Sequence, residues 1–275
     1  MACLMMLGCA SGSGSQPLAT PTASTTPTPV PTPTPTPAPA ALFLTPGNWS
    51  IHGTSGIAIN TSVDGAGDVT QSGNSVPGLG ITITDPKNCF GPANLEQLAG
   101  TMSGSTLTLT NSSSNGVTTI VLTGNDKQLS GTYEISGGCL NLDHGTVNAV
   151  FIPSVTGAWK GNLTSSTGAV TPVTATLTQG PSNPTGFQSY PVSGSVVFSG
   201  TSCIATGTID PAVSFVRGIG VALQNISDLT PPSPRSVNLL TGVTDAPAGT
   251  TLSGTYTASG GSCASEQGTV TLVRQ

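Results

Sequence analysis

Along most of the chain apolar and polar residues alternate one by one in short runs, interrupted by glycine and asparagine. A period of two puts the apolar residues of a run on one face of a β-strand. In the first half the candidate strands are Gly56–Asn60, Asp68–Gln71, Leu79–Thr84, Thr106–Thr110, Thr118–Thr123, Leu129–Ile135 and Thr146–Ile152. In the second half they are Thr174–Gln179, Val192–Phe198, Ala205–Ile209, Gly220–Leu223, Val237–Leu240, Leu252–Thr257 and Thr269–Val273. Turn-formers stand between them, among them Asp64-Gly65, Ser72-Gly73-Asn74, Ser114-Asn115-Gly116 and Gly124-Asn125-Asp126. No long stretch keeps the apolar stripe of a helix, and Thr, Ser, Gly and Val are weak helix formers. The pattern predicts an all-β protein of hairpins joined into antiparallel meanders.

The two halves share more than periodicity. Leu129-Ser130-Gly131-Thr132-Tyr133 returns as Leu252-Ser253-Gly254-Thr255-Tyr256, and each copy runs on to a cysteine and Gly-Thr-Val. Upstream, Gly47-Asn48-Trp49 is matched by Gly157-Ala158-Trp159, and Thr70-Gln71 by Thr178-Gln179. A repeat this long duplicates a whole domain rather than a solenoid unit. The expected domains are 41–153 and 154–275. About eight short strands in each suit a small β-barrel, favoured here over a β-sandwich.

The Gly-x-Trp opening and the late Gly-Thr-Tyr strand resemble lipocalin- and avidin-like barrels, which implies a tryptophan plugging the barrel's end. The fuller set of Gly-x-Trp, Thr-Gln, Leu-Ser-Gly-Thr-Tyr and Gly-Thr-Val resembles bacterial lipoproteins of no established activity. In the first domain it matches Gly47, Trp49, Thr70, Gln71, Leu129–Tyr133 and Gly145–Val147. In the second it matches Gly157, Trp159, Thr178, Gln179, Leu252–Tyr256 and Gly268–Val270, while the cysteine moves by one residue, Cys139 against Cys263. At the other end, Met1–Cys9 is a short apolar run in which Leu7-Gly8-Cys9 resembles a lipobox. That resemblance implies a lipid on Cys9; an ordinary cleaved signal is the alternative. Residues 10–40 are a Ser/Gly and then Pro/Thr spacer, extended because proline fixes φ and removes a donor.

Composition narrows the chemistry. Charged residues are 6% of the chain with a formal net charge of −5, so no basic stripe exists to bind nucleic acid. Cys3 and Cys9 apart, each half holds two cysteines, and pairing within each half gives disulfides Cys89–Cys139 and Cys203–Cys263. Each would close a long loop, contributing roughly 4 kcal/mol in the chain-entropy account. A zinc site from all four cysteines is the rival, against which stands the lack of any Cys-x-x-Cys pair.

Catalytic candidates are sparse. His52 and His144 are the two histidines, and Asp143-His144 could be read as an oriented base. The second copy has Glu266-Gln267 there, and neighbours on a strand point to opposite faces, so a polar turn is the better reading. Glu96 and Glu134 would serve as glycosidase carboxylates only if the fold brought them together. Asn60–Asp68 partly imitates a calcium loop, against a plain Gly-rich turn. Trp49 and Trp159 could stack on sugar, but recurrence in both copies favours a core role. Phe187, Tyr190 and the loop to Arg235 belong to the second copy alone, and are where divergence for binding is expected.

These readings converge on a non-enzymatic, lipid-anchored protein of the bacterial cell envelope, at the outer membrane. It would display two disulfide-stapled β domains in a binding or structural role. No cofactor and no metal are expected. Its partners would be the membrane, through the N-terminal lipid, and a small apolar ligand or envelope polysaccharide. A small-ligand carrier is the alternative, and a polysaccharide hydrolase stands third.

Overall fold

The computed structural model describes residues 42–57, 62–84, 95–113, 116–183, 188–199, 205–228, 235–260 and 266–275. All of them fall within one compact unit, Ala38–Gln275. The lipobox, the spacer, Cys3, Cys89, Cys203, Cys263 and Phe187 lie outside the described residues.

Alternation becomes strand throughout. The first half forms β1 (Gly47–Ser55), β2 (Ser62–Val69), β3 (Ser75–Thr84), β4 (Leu95–Ser103), β5 (Thr106–Ser113), β6 (Gly116–Gly124), β7 (Gln128–Ser136) and β8 (His144–Phe151). Each pairs antiparallel with the next, and β8 returns to β1, so the sheet is a closed barrel. The second half forms β9 (Gly157–Ser165), β10 (Val170–Gln179), β11 (Tyr190–Phe198), β12 (Thr206–Ile209), β13 (Phe215–Arg217), β14 (Gly220–Asp228), β15 (Arg235–Val243), β16 (Thr251–Ser259) and β17 (Glu266–Arg274). Here β17 pairs with β9 and β10 with β11, which closes a second ring. Its fourth stave is split into β12 and β13, both lying between β11 and β14. The fold is all-β, two antiparallel barrels in tandem.

Several local expectations are corrected. Asp64-Gly65 lies inside β2 rather than in a turn, and Ser62–Asp68 is paired strand, so the calcium-loop reading of Asn60–Asp68 fails over its described part. Gly56 and Ile57 form a bend after β1, not the start of a strand. Four strands, β1, β4, β9 and β13, were not among the candidates.

Inside each barrel the repeated phrases carry matching contacts. Trp49 and Trp159 are buried to 2% and 1% exposure, which removes the sugar-stacking reading. Trp49 Nε1 donates to Thr45 O and Trp159 Nε1 to Val155 O, both at 2.8 Å. The glutamines of the Thr-Gln pairs clamp the chain entering the barrel. Gln71 Oε1 accepts from the Leu44 N–H at 2.9 Å, and Gln179 Oε1 from the Val155 N–H at 3.0 Å. Tyr133 OH donates to buried Asp143 at 3.2 Å and Tyr256 OH to Glu266 at 2.7 Å, ten residues on in each copy.

The motif glycines answer to close approach. A Cβ on Gly131 would stand 1.9 Å from Val121 O, and one on Gly254 2.1 Å from Leu240 O. Strands coiled tightly enough to close a small barrel crowd the inward face at such points, and glycine alone fits.

Both interiors are packed. The first core gathers Trp49, Ile51, Leu98, Met102, Leu109, Ile120, Leu122, Tyr133 and Ile135 with their neighbours, and its residual void is about 10 Å³. The second core includes Trp159, Leu163, Val192, Leu223, Leu239, Tyr256 and Leu272. It also takes in Ile152 and Val155 from the segment that joins the barrels.

Candidate functional site

The residues singled out in the sequence scatter. Asp143 is fully buried, accepting from Ser55 Oγ at 2.6 Å as well as from Tyr133. His144 points out, its Nδ1 at 3.0 Å from Leu142 O, so the two are not a base with its orienting acid. Glu134 sits across from His144 on β7, whereas Glu96 is on β4, with β5 and β6 between. Among the described residues no three His, Cys, Asp or Glu stand together as metal ligands. Cys139 is disulfide-bonded.

What the fold brings together is a seam between the barrels. The outward side chains of the β1–β2 hairpin include Asn48, Ser50 and His52 on one strand and Asp64, Ala66 and Asp68 on the other. On a lone barrel this face would be wet, yet Asn48 and Ala66 are 3% and 8% exposed. They are covered by the β13–β14 hairpin of the second barrel. Arg217 pairs with Gly220, leaving Gly218-Ile219 as a two-residue turn. Gly218 has φ +53°, the left-handed value that the first position of a type II′ turn needs. The Asn48 carboxamide meets this turn as a strand edge would. Its Nδ2 donates to Gly218 O and its Oδ1 accepts from the Gly218 N–H, both at 2.9 Å. A Cβ on Gly218 would come within 2.8 Å of Ala66 Cβ and 3.1 Å of Ser50 Oγ.

A second attachment lies alongside. Tyr190, at the start of β11, donates from its hydroxyl to Asp68 Oδ1 at 2.6 Å. Burial, then the bond to Asp68 and that carboxylate's charge, push the Tyr190 phenol far above its ordinary range. The loop peculiar to the second copy therefore holds the first barrel. Gln188, with φ +47°, joins Asp68, Thr70, Pro77, Gly78 and Ser182 in a shallow groove of about 340 Å³.

On the other flank is a groove of about 350 Å³. Ser50, His52, Asp64 and Ala66 line it from the first barrel, Arg217 and Ile219 from the second. His52 stands opposite Asp64 in the ladder, with Nδ1 and Oδ1 2.5 Å apart. Asp64 Oδ2 also accepts from Ser62 Oγ at 2.7 Å, which holds the carboxylate in place. Arg217 is half buried, and desolvation lowers its pKa from the usual guanidinium range, although arginine stays charged. The groove thus joins a cation, a paired imidazole and carboxylate, a hydroxyl and an apolar wall. Neither half of the chain contains it alone.

Sequence reasoning missed this place. Its clearest trace is the one difference within the repeated Gly-x-Trp phrase, Asn48 against Ala158. A buried amide serving one copy needs a partner from outside its own barrel.

No protein-family model matches the chain, and no curated protein matches it. Among solved structures, a protein of Nitrosomonas europaea provisionally named AttH is similar at 10% identity. The likeness covers 84% of this chain and 92% of that one, with a TM-score of 0.25. At that score it carries no argument.

Proposed function

We propose that the protein is a non-enzymatic module of the bacterial cell envelope, held to the outer membrane by a lipid on Cys9. The Pro/Thr spacer would carry two disulfide-stapled barrels away from the membrane surface, in a binding or structural role. The observation that carries this reading is the packing of both barrels together with the bonded seam that joins them. The first barrel's core, with about 10 Å³ of void, has no room for a carried ligand, which supports binding at the outer surface. The sparse charge of the chain supports a role without acid–base chemistry. The disulfide at Cys139 supports an oxidising compartment, and the pairings Cys89–Cys139 and Cys203–Cys263 belong to the same proposal. Membership of the duplicated-barrel lipoproteins that the motifs resemble is likewise proposed.

The test is metabolic labelling of the full reading frame with palmitate, followed by fractionation. Label is expected in the membrane fraction, and Cys9→Ser is expected to lose it and become soluble. Wild-type protein that is soluble and unlabelled would end the anchor reading.

A further inference from the structure

We infer that the groove at Gln188 is a binding site for a neutral sugar, held through two neighbouring hydroxyls of an envelope polysaccharide unit. This deepens the surface-binding reading above and rests on it. Gln188 carries two costs at once. Its backbone is left-handed, with φ +47°, although it is neither glycine nor asparagine. Its Oε1 is buried and has no hydrogen-bond partner among the described residues. A loop that only joined strands would shed both costs with a glycine at this position. Costs of this kind persist where a residue is held in place for a role, and this one is held at the groove.

The first barrel is shaped to receive that side chain. A Cβ on Gly67 would collide with Gln188 Oε1, and one on Gly78 would stand 3.7 Å from Nε2. Two glycines of β2 and β3 therefore seat the carboxamide. The lining suits a polyol. Nε2 supplies N–H donors, and Asp68 supplies the acceptor. Tyr190 OH engages Asp68 Oδ1 at 2.6 Å, while Oδ2 accepts no hydrogen bond among the described residues. A hydroxyl donating to Asp68 and its neighbour accepting from Gln188 would satisfy the pair. Thr70 adds a hydroxyl at the exposed rim, and Pro77 an exposed ring for a C–H face.

Charge narrows the ligand further. Asp68 is the charged residue among the described lining, and it repels an acidic sugar. No group of three His, Cys, Asp or Glu among the described residues could turn the groove into a metal site. The groove's volume of about 340 Å³ lies at the small end of ligand sites, which run from roughly 300 to 1,000 Å³. The seam sets the site in advance, because Tyr190 holds Asp68 and is itself bonded by the Ser182 hydroxyl. Prior placement spares the ordering cost that weakens binding to mobile loops. Gln188, Tyr190 and Ser182 come from the loop that only the second copy has, so neither barrel could form the site alone.

The experiment is an NMR titration of the isotope-labelled full chain with methyl glucoside and methyl galactoside, each set against its own uronate, and with calcium chloride. At least one glycoside is expected to shift the Gln188 side-chain amide and the Gly78 N–H saturably, leaving the Gly218 N–H still. Its uronate is expected to bind at least tenfold more weakly. Gln188→Gly is expected to weaken the glycoside at least tenfold and to melt no lower than wild type, since glycine accepts the φ and buries no amide. If that variant does not fold, Thr70→Val at the exposed rim replaces it, with an expected loss of at least threefold. No saturable shift in the millimolar range, a uronate binding as tightly as its glycoside, full affinity in the variant, or calcium alone moving these resonances would each overturn the assignment. Glycoside shifts confined to other faces would overturn the groove and leave the surface-binding reading standing. Palmitate labelling is read independently, so the anchor and the groove fail separately.

Discussion

The chain's three tyrosines are each buried or bonded to a carboxylate. Burial first, then the charge of Asp143, pushes the Tyr133 phenol up to about 12. Tyr190 beside Asp68 and Tyr256 beside Glu266 are raised further, by burial first, then by the hydrogen bond to the carboxylate and its charge. A phenol raised in the folded state supplies stability that is whole below the unfolded value near 10. That stability drains away as pH climbs from about 10 toward the folded value, because the unfolded chain ionises first. Phenolate absorbance at about pH 11 should therefore be nearly absent while the protein is folded, and should rise together with loss of the β spectrum. Absorbance appearing ahead of unfolding would contradict it. At this scale the sequence was readable only where the copies agree. Trp49, Gln71 and Tyr133 have counterparts, and for the tryptophans recurrence pointed to a core role. His52 and Asp64 have none, and their meeting depends on strand register, which adjacent spacing does not reveal.

Strands rich in Thr, Val and Ile were plain from alternation, as in β6 and β10. Those overlooked lack that mark. Leu95–Ser103 mixes Leu, Glu, Gln and Ala, good helix formers, and is made a strand by its neighbours β3 and β5. Gly47–Ser55 and Gly157–Ser165 begin with glycine and include a second one, Gly53 and Gly161, where neighbouring strands press in. Asp64-Gly65 has the composition of a hairpin turn and was misread for that reason, since ladder partners on both sides outweigh local turn preference. Barrel closure has its own requirement. Gly131→Ala and Gly254→Ala should each cost at least about 3 kcal/mol in urea unfolding, because the Cβ meets main chain rather than a side chain that can move. Gly73→Ala, where nothing lies within 4 Å, should cost only what its φ of +58° imposes. Equal losses at all three would refute the crowding account.

For the molecule as a whole, the two copies prove less separable than their sequences imply. Residues 41–153 and 154–275 are each expected to give a cooperative β-type melt, but a cut after Pro153 strips Ile152 from the second core. A fragment from 152 to 275 should exceed 154–275 in stability by about 1.5–3 kcal/mol, the worth of a buried isoleucine. Indistinguishable midpoints would show that Ile152 belongs to the first barrel's end alone. In the intact chain, Gly218→Ala should leave both barrels folded yet parted, seen as a larger radius of gyration in solution scattering, with Asn48→Ala in the same direction. A hairpin tip from one module seated on a hairpin face of its twin is a head-to-tail contact, and such contacts propagate into filaments when each module keeps both parts. Here both loose ends are blunted. The first barrel's corresponding tip, Gly104, has its carbonyl taken by the Leu42 N–H at 2.9 Å. The second barrel's corresponding face carries Ala158 where the seating amide would be. Head-to-tail growth would therefore need both ends restored, an asparagine at position 158 and the Gly104 carbonyl freed from Leu42.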